Sequence, residues 1–141
     1  LISEKNDIFK FLIIFLKSVQ NELFDLGTQL ASSNNDKSST LPRLENNSIK
    51  KIEDQIDELN INLPDLSSFV LCGGSQINAQ FHVARNVCRR AERRAVALYK
   101  NREFDSINLQ YLNRLSDALF VWSRWISMIL GDDESLWEPN S

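Results

Sequence analysis

Cys88-Arg89-Arg90-Ala91-Glu92-Arg93-Arg94 gathers four guanidinium groups and one carboxylate within seven residues of a chain whose formal net charge is −3. A guanidinium donates in a fixed planar fork that matches the oxygens of a phosphate or a buried carboxylate, so such a cluster suits recognition of one of these groups. Surface helices do not need planar bidentate donors, and lysine is used freely elsewhere, at Lys5, Lys10, Lys17, Lys50 and Lys51. A plainer alternative stays open at this stage. In it the run is a solvated helix face where Glu92 pairs with Arg89, each exposed pair contributing about 0.3–0.5 kcal/mol.

Other chemistries find less support. Cys72 and Cys88 have no Cys/His ligand spacing and His82 is the only histidine, so no protein-bound zinc site is expected and the cysteines are expected to stay reduced in a cytoplasmic setting. The acidic balance, Glu92 within the arginine row and the absence of interleaved aromatics disfavour nucleic-acid binding. No stretch approaches the roughly 20 apolar residues of a membrane span, because Phe9 to Leu16 is broken by Lys10 and closed by Lys17. The start, Leu1-Ile2-Ser3-Glu4-Lys5, has no initiator methionine or signal-peptide layout and reads as cut from something longer.

The elements that must position the cluster are helices. With 141 residues and 43% hydrophobic content, one domain over 1–141 with a real core is expected. Ile8, Leu12, Phe15, Val19, Leu23 and Leu26 recur at helical spacing and predict a long amphipathic helix from about Asn6 to Leu30. Residues 32–47 are polar and turn-rich, and read as a long exposed, partly mobile connection. Ser48 is a candidate cap for a second helix carrying Ile49, Ile52, Ile56 and Leu59, which ends at Asn60-Ile61-Asn62-Leu63-Pro64. Phe69-Val70-Leu71-Cys72, closed by Gly73-Gly74, is expected to be an extended connector too short to pair as a strand.

Ser75 or Asn78 opens the arginine helix, which runs to about Asn101. At about 100° per residue, Ala84, Val87, Cys88, Ala91, Ala95 and Leu98 form its apolar stripe. Arg85, Arg89, Glu92 and Arg93 then share a second arc, and Arg90 and Arg94 fall on the opposite flank. A last helix begins near Asp105-Ser106 and is stopped by Gly131, with a seam of Leu112, Leu115, Leu119, Trp122, Ile126 and Ile129. Beside that seam Asn113, Asp117 and Arg124 form a polar row, and Trp122 and Trp125 read as core or interface aromatics. The fold class is all-α, an antiparallel bundle of four helices with ferritin-like up-down packing and no strand-turn-helix to carry a P-loop.

Three ordered blocks resemble the PduO-type ATP:cob(I)alamin adenosyltransferases. They are Gln20-Asn21-Glu22-Leu23-Phe24-Asp25-Leu26-Gly27, the run from Phe81-His82-Val83-Ala84-Arg85 through Arg94, and Leu112-Asn113-Arg114-Leu115-Ser116-Asp117; together they span roughly residues 18–130. The resemblance implies a five-helix bundle assembled as a homotrimer, with ATP near the subunit edges and the corrinoid beside it. Against that pattern, the sequence is expected to lack the first helix and the Gly/Thr-rich N-terminal segment that wraps the ATP phosphates. Cys72 also stands where family members often carry proline before the glycines.

Carried over residue by residue, the resemblance implies that Arg89 and Arg93 contact the ATP triphosphate, that Arg90 belongs to the nucleotide-binding block, and that Asn113 hydrogen-bonds the nucleotide. It further implies that Glu92 helps hold Mg²⁺ on the ATP, that Asp25 forms an intersubunit salt bridge with Arg89, and that Asp117 and Arg114 brace the site. Arg94 receives no role. The implied reaction transfers the 5′-deoxyadenosyl group of ATP to the cobalt of reduced cobalamin and releases triphosphate. Cobalt is the nucleophile, so no protein base or nucleophile is expected. An apolar pocket for the corrinoid is implied, without assignment to particular Phe or Trp residues. A reductase and an adenosylcobalamin-dependent enzyme are the implied further partners. His82 reads as a hydrogen-bonded structural group rather than a cobalt ligand. The alternative from another class is a non-catalytic trimerisation module whose Arg/Glu/Asp network only ties subunits together.

Overall fold

Leu12, Val19 and Leu26 recur every seven residues and form the buried stripe of the first helix, α1 (Ile2–Ala31). The structure, a computed structural model, describes residues 2–32 and 40–141, and residues 33–39 of the expected polar connection therefore lie outside the described residues. Three further helices follow: α2 (Asn46–Asn60), α3 (Gln76–Asn101) and α4 (Ile107–Leu130). Gly27 lies inside α1 without ending it, because the helix is fastened beyond that point. Arg102 donates through both terminal nitrogens to the Leu30 and Ser32 carbonyls, and Gln29 Nε2 donates to the Pro42 carbonyl at 2.7 Å.

The centre of the bundle is α4. Its Leu112, Leu115, Leu119, Trp122 and Ile126 are buried as the heptad-like seam predicts, and Tyr111 and Ala118 are buried beside them. Trp122 has no exposed surface, meets Phe15 of α1 edge-on at 5.3 Å and lies 6.2 Å from Phe81 of α3. Glu22 accepts a hydrogen bond from Tyr111 Oη at 2.6 Å, so α1 runs antiparallel to α4. Asn78 Nδ2 donates to the Ser123 carbonyl and to Ser127 Oγ at 2.8 and 2.7 Å, while Cys88 Sγ lies 3.3 Å from the Leu112 carbonyl; α3 is thus antiparallel to α4 as well. Apolar residues of all four helices meet in one core, in an up-down-up-down all-α bundle.

Ser75 is the N-cap of α3 and its hydroxyl accepts from the Asn78 amide, while Gly131 ends α4 in the left-handed region at φ 74°, where a Cβ would be strained. Three expectations need correction. First, α2 begins two residues before Ser48, with Glu45 at its N-cap and no side-chain cap bond. Second, the buried face of α3 is Asn78, Phe81, His82, Cys88 and Ala95, whereas Ala84 and Ala91 are exposed and Val87 is 48% exposed. The apolar arc of α3 is wider than one partner helix covers, and Arg85, Glu92 and Asn78 make specific bonds to α4 that turn the helix toward the polar side of that arc. Third, Phe69-Val70-Leu71 does find a partner: Val70 forms an antiparallel bridge with Leu136 in the tail after α4.

Burial pushes the Cys88 thiol up to about 11 from its ordinary 9.0, and the Glu92 and Asp117 carboxylates push in the same direction. Tyr111 is likewise raised, by burial and by its hydrogen bond to Glu22. A raised folded-state pKa contributes stability that is complete below the unfolded value and lost as pH climbs toward the folded one. The unfolding free energy is therefore expected to fall as pH rises from about 9 to 11, with Cys88 contributing on the order of 2 kcal/mol. Urea unfolding across that window checks this; Cys88→Ala should flatten the slope, and an unchanged slope would exclude the thiol as a source.

Candidate functional site

Glu92 and Asn113 meet across the α3–α4 interface, where Asn113 Nδ2 donates to Glu92 Oε1 at 3.0 Å. Glu92 is half-buried because it sits near the middle of the α3 face turned to α4, while Arg89 and Arg93, three residues before and one after it, project to solvent. Neither arginine has a hydrogen bond or ion pair among the described residues. Two uncompensated guanidinium groups thus flank a carboxylate and an amide whose orientations are fixed by each other. Arg90 and Arg94 are exposed on the far flank, also unpaired among the described residues.

Arg114 ties together the floor of this face. Arg114 Nε donates to Glu53 Oε1 of α2 at 2.9 Å and its Nη1 reaches Asp117 Oδ2 at 3.4 Å, tying α2 to α4 beside Asn113. Glu53, Glu92, Asn113 and Arg114 help line a hollow of about 330 Å³ against Ile49 and Leu109. Glu53 had no place in the sequence reading, since nothing in the α2 pattern marks which of its many acids faces α4. Asp25 lies half-buried on α1, with no bond to any described residue of the same chain.

Arg85 belongs to the same arc as Arg89 but turns inward, its guanidinium 4.7 Å above the Phe120 ring, a cation–π arrangement. Next to it Leu66, Ser68, Phe69, Val70, Phe120 and Trp137 line a largely apolar hollow of about 630 Å³. Phe69 is 76% exposed there with its ring 6.0 Å from that of Trp137. His82 departs from expectation. It is buried, neither ring nitrogen has a hydrogen-bond partner among the described residues, and burial together with the Arg85 charge pushes its pKa down, so the ring is held neutral. The polar row on α4 also separates: Asn113 and Asp117 are exposed, whereas Arg124 is buried and points away to Glu134.

The sequence pattern of the family described as "Cobalamin adenosyltransferase" matches residues 5–126. The chain belongs to that family. Among curated cobalamin adenosyltransferases, the "Corrinoid adenosyltransferase" of Bacillus subtilis (strain 168) is 40% identical over 119 residues, 84% of this chain and 60% of that protein. The "Corrinoid adenosyltransferase" of Mycobacterium tuberculosis (strain ATCC 25618 / H37Rv) is 44% identical over 128 residues, 88% of this chain and 64% of that protein. The chain thus spans about 60–64% of the length of these two relatives. A variant of the PduO-type ATP:corrinoid adenosyltransferase from Lactobacillus reuteri, complexed with cobalamin and ATP, superposes with a TM-score of 0.85 at 30% identity, covering 91% of this chain and 71% of that one.

Proposed function

We propose that this chain transfers the 5′-deoxyadenosyl group of ATP to the cobalt of reduced cobalamin, with triphosphate as the leaving group. The observation that carries the reading is the Glu92–Asn113 hydrogen bond with Arg89 and Arg93, unpaired among the described residues, on either side of Glu92. An attack of Co(I) on the ribose C5′ forms the Co–C bond with the cobalt electron pair and breaks the C5′–O bond, whose electrons leave on the triphosphate. The chain needs no base for this. Its tasks are to hold a leaving group of about four negative charges and to align C5′ with cobalt, both of which are positioning and preorganised electrostatics.

Arg89 and Arg93 are assigned to the triphosphate, Asn113 to a hydrogen bond with the nucleotide, and Arg90 to the nucleotide block from the far side. Glu92 fits a magnesium site on ATP: it offers one half-buried carboxylate already oriented by Asn113, and magnesium is commonly held by one or two carboxylates plus substrate phosphates and water. Magnesium bound there would supply neutralisation of the developing triphosphate charge. The corrinoid is placed in the apolar hollow of Phe69, Phe120 and Trp137, because Arg85 at its edge belongs to the same helix face as Arg89.

Assembly as a homotrimer is part of the same reading. It is supported by the half-buried Asp25, unpaired among the described residues and available to Arg89 of a neighbouring subunit, and by Phe11, Ile14, Phe24, Val83 and Val87, all largely exposed in the single chain. Among the described residues no helix is long and apolar enough to cross a membrane, and we place the protein in the cytoplasm, with a reductase that supplies Co(I) and an adenosylcobalamin-dependent enzyme as functional neighbours.

Calorimetric titration of full-length protein with ATP and Mg²⁺ separates this reading from a purely structural trimerisation module. Saturable binding is expected, weakened about tenfold or more by Glu92→Gln when Mg²⁺ is present. No heat of binding from a folded trimer would favour the structural module.

A further inference from the structure

We infer that Arg124 and Glu134 form a positioning pair that clamps the chain after α4 into place as one wall of the corrinoid hollow. The inference rests on the placement of the corrinoid beside Phe69 and Trp137. Beyond Gly131 the chain doubles back along residues 68–71. The Leu71 amide donates to the Ser135 carbonyl at 2.8 Å, the Trp137 amide to the Phe69 carbonyl at 2.7 Å, and Ser68 Oγ to the Trp137 carbonyl at 2.7 Å. A two-stranded pairing this short has little stability in water and needs an anchor.

Arg124 supplies it. The side chain is 7% exposed, and its Nε and Nη2 donate to Glu134 Oε1 and Oε2 at 2.7 and 3.3 Å while Nη2 also reaches the Pro64 carbonyl at 2.6 Å. One guanidinium therefore ties three pieces of chain together: the last third of α4, the start of the 64–75 connector and the tail. Both pieces it holds against α4 continue into the hollow, the connector through Leu66, Ser68 and Phe69 and the tail through Trp137. Phe120, on the helix that carries Arg124, lines the same hollow one turn earlier. A planar fork is needed for three bonds in two directions, which an ammonium cannot reproduce in the same geometry. Removing either partner of such a buried pair leaves a charge without compensation, so the tail detaches rather than adjusts. The triphosphate face, at Arg89, Glu92 and Arg93 further along α3, touches none of these groups.

The test compares full-length wild type with Arg124→Lys, Glu134→Gln, the double variant and Trp137→Ala, by steady-state kinetics with reduced cobalamin and ATP varied separately and by direct binding of cobalamin. Each variant is expected to raise the KM for cobalamin at least about tenfold while leaving the KM for ATP within about twofold. The double variant should be no worse than the poorer single, since both break one clamp. Glu134→Gln lies outside the helices and keeps the shape of the side chain, so it remains informative if Arg124→Lys folds poorly. A cobalamin KM that rises with Trp137→Ala but not with Glu134→Gln overturns the clamp and leaves the hollow intact. Equal rises in both KM values overturn it in favour of a general structural role. Wild-type protein that binds ATP but not cobalamin, or a Trp137→Ala variant with wild-type cobalamin affinity, removes the corrinoid placement itself and the clamp with it.

Discussion

Arg93→Ala is expected to lower kcat/KM for adenosyl transfer by about 10²–10³-fold, the loss typical of removing one preorganised donor from a developing anion. The helical circular dichroism should not change, because Arg93 is exposed and bonds to nothing among the described residues. Its removal relieves repulsion with Arg89, Arg90 and Arg94, so any effect on stability should be neutral or slightly favourable. Arg94→Ala is the matched comparison: the same charge is lost from the far flank of the helix, and turnover is expected to stay within about twofold. Equal losses for the two variants would mean that the row acts only as a diffuse positive field, which attracts ATP without positioning it.

The second large effect is structural. Trp122→Ala is expected to cost about 3–5 kcal/mol, the range for emptying a large aromatic site in a packed core. Trp122 has no exposed surface and packs against Phe15 from α1 and Phe81 from α3, so its removal opens a space between three helices at once. Since a small domain has only about 5–15 kcal/mol of stability to lose, the variant should unfold at much lower urea concentration. Trp137→Ala, on the exposed tail, should cost no more than about 1 kcal/mol. A Trp122 variant as stable as the Trp137 variant would contradict the packing described above.

Elements held by local chemistry were readable from sequence. The α4 seam is buried where its spacing places it, Ser75 caps α3, and Gly131 ends α4, because each depends on residues within a turn or two. The face of α3 was harder to read. Counting apolar side chains favours Ala84, Val87 and Ala91, yet the helix turns Phe81, Cys88 and Glu92 toward α4, and the choice is made by partners on another helix: Phe120 under Arg85 and Asn113 beside Glu92. Short segments distant in sequence were not readable at all. Val70 pairs with Leu136 and Arg124 with Glu134, and neither pairing leaves a periodic trace.

The site shows the same division. The clustering of guanidinium groups is visible in the residues themselves, and the resemblance to a known family implied a nucleotide role for Asn113, but its 3.0 Å hydrogen bond to Glu92 is seen only in the structure. That Glu53 completes the brace through Arg114 follows only from the packing of α2 on α4. Arg85 was placed on the right arc, and only the structure separates it from Arg89, by turning one inward over an aromatic ring and leaving the other free in solvent.

On the proposed function, the α3 arginine face holds the triphosphate of an ATP whose adenosyl group passes to cobalt. The most direct test of this follows the corrin absorption spectrum while full-length protein is mixed with ATP, Mg²⁺ and chemically reduced cobalamin, with triphosphate quantified in the same reaction. Conversion to adenosylcobalamin is expected, with one triphosphate released per cobalamin adenosylated and both signals lost together in Arg93→Ala. Reduced cobalamin that persists unchanged with the folded wild-type protein and ATP, or conversion that Arg93→Ala leaves untouched, would contradict the proposed function.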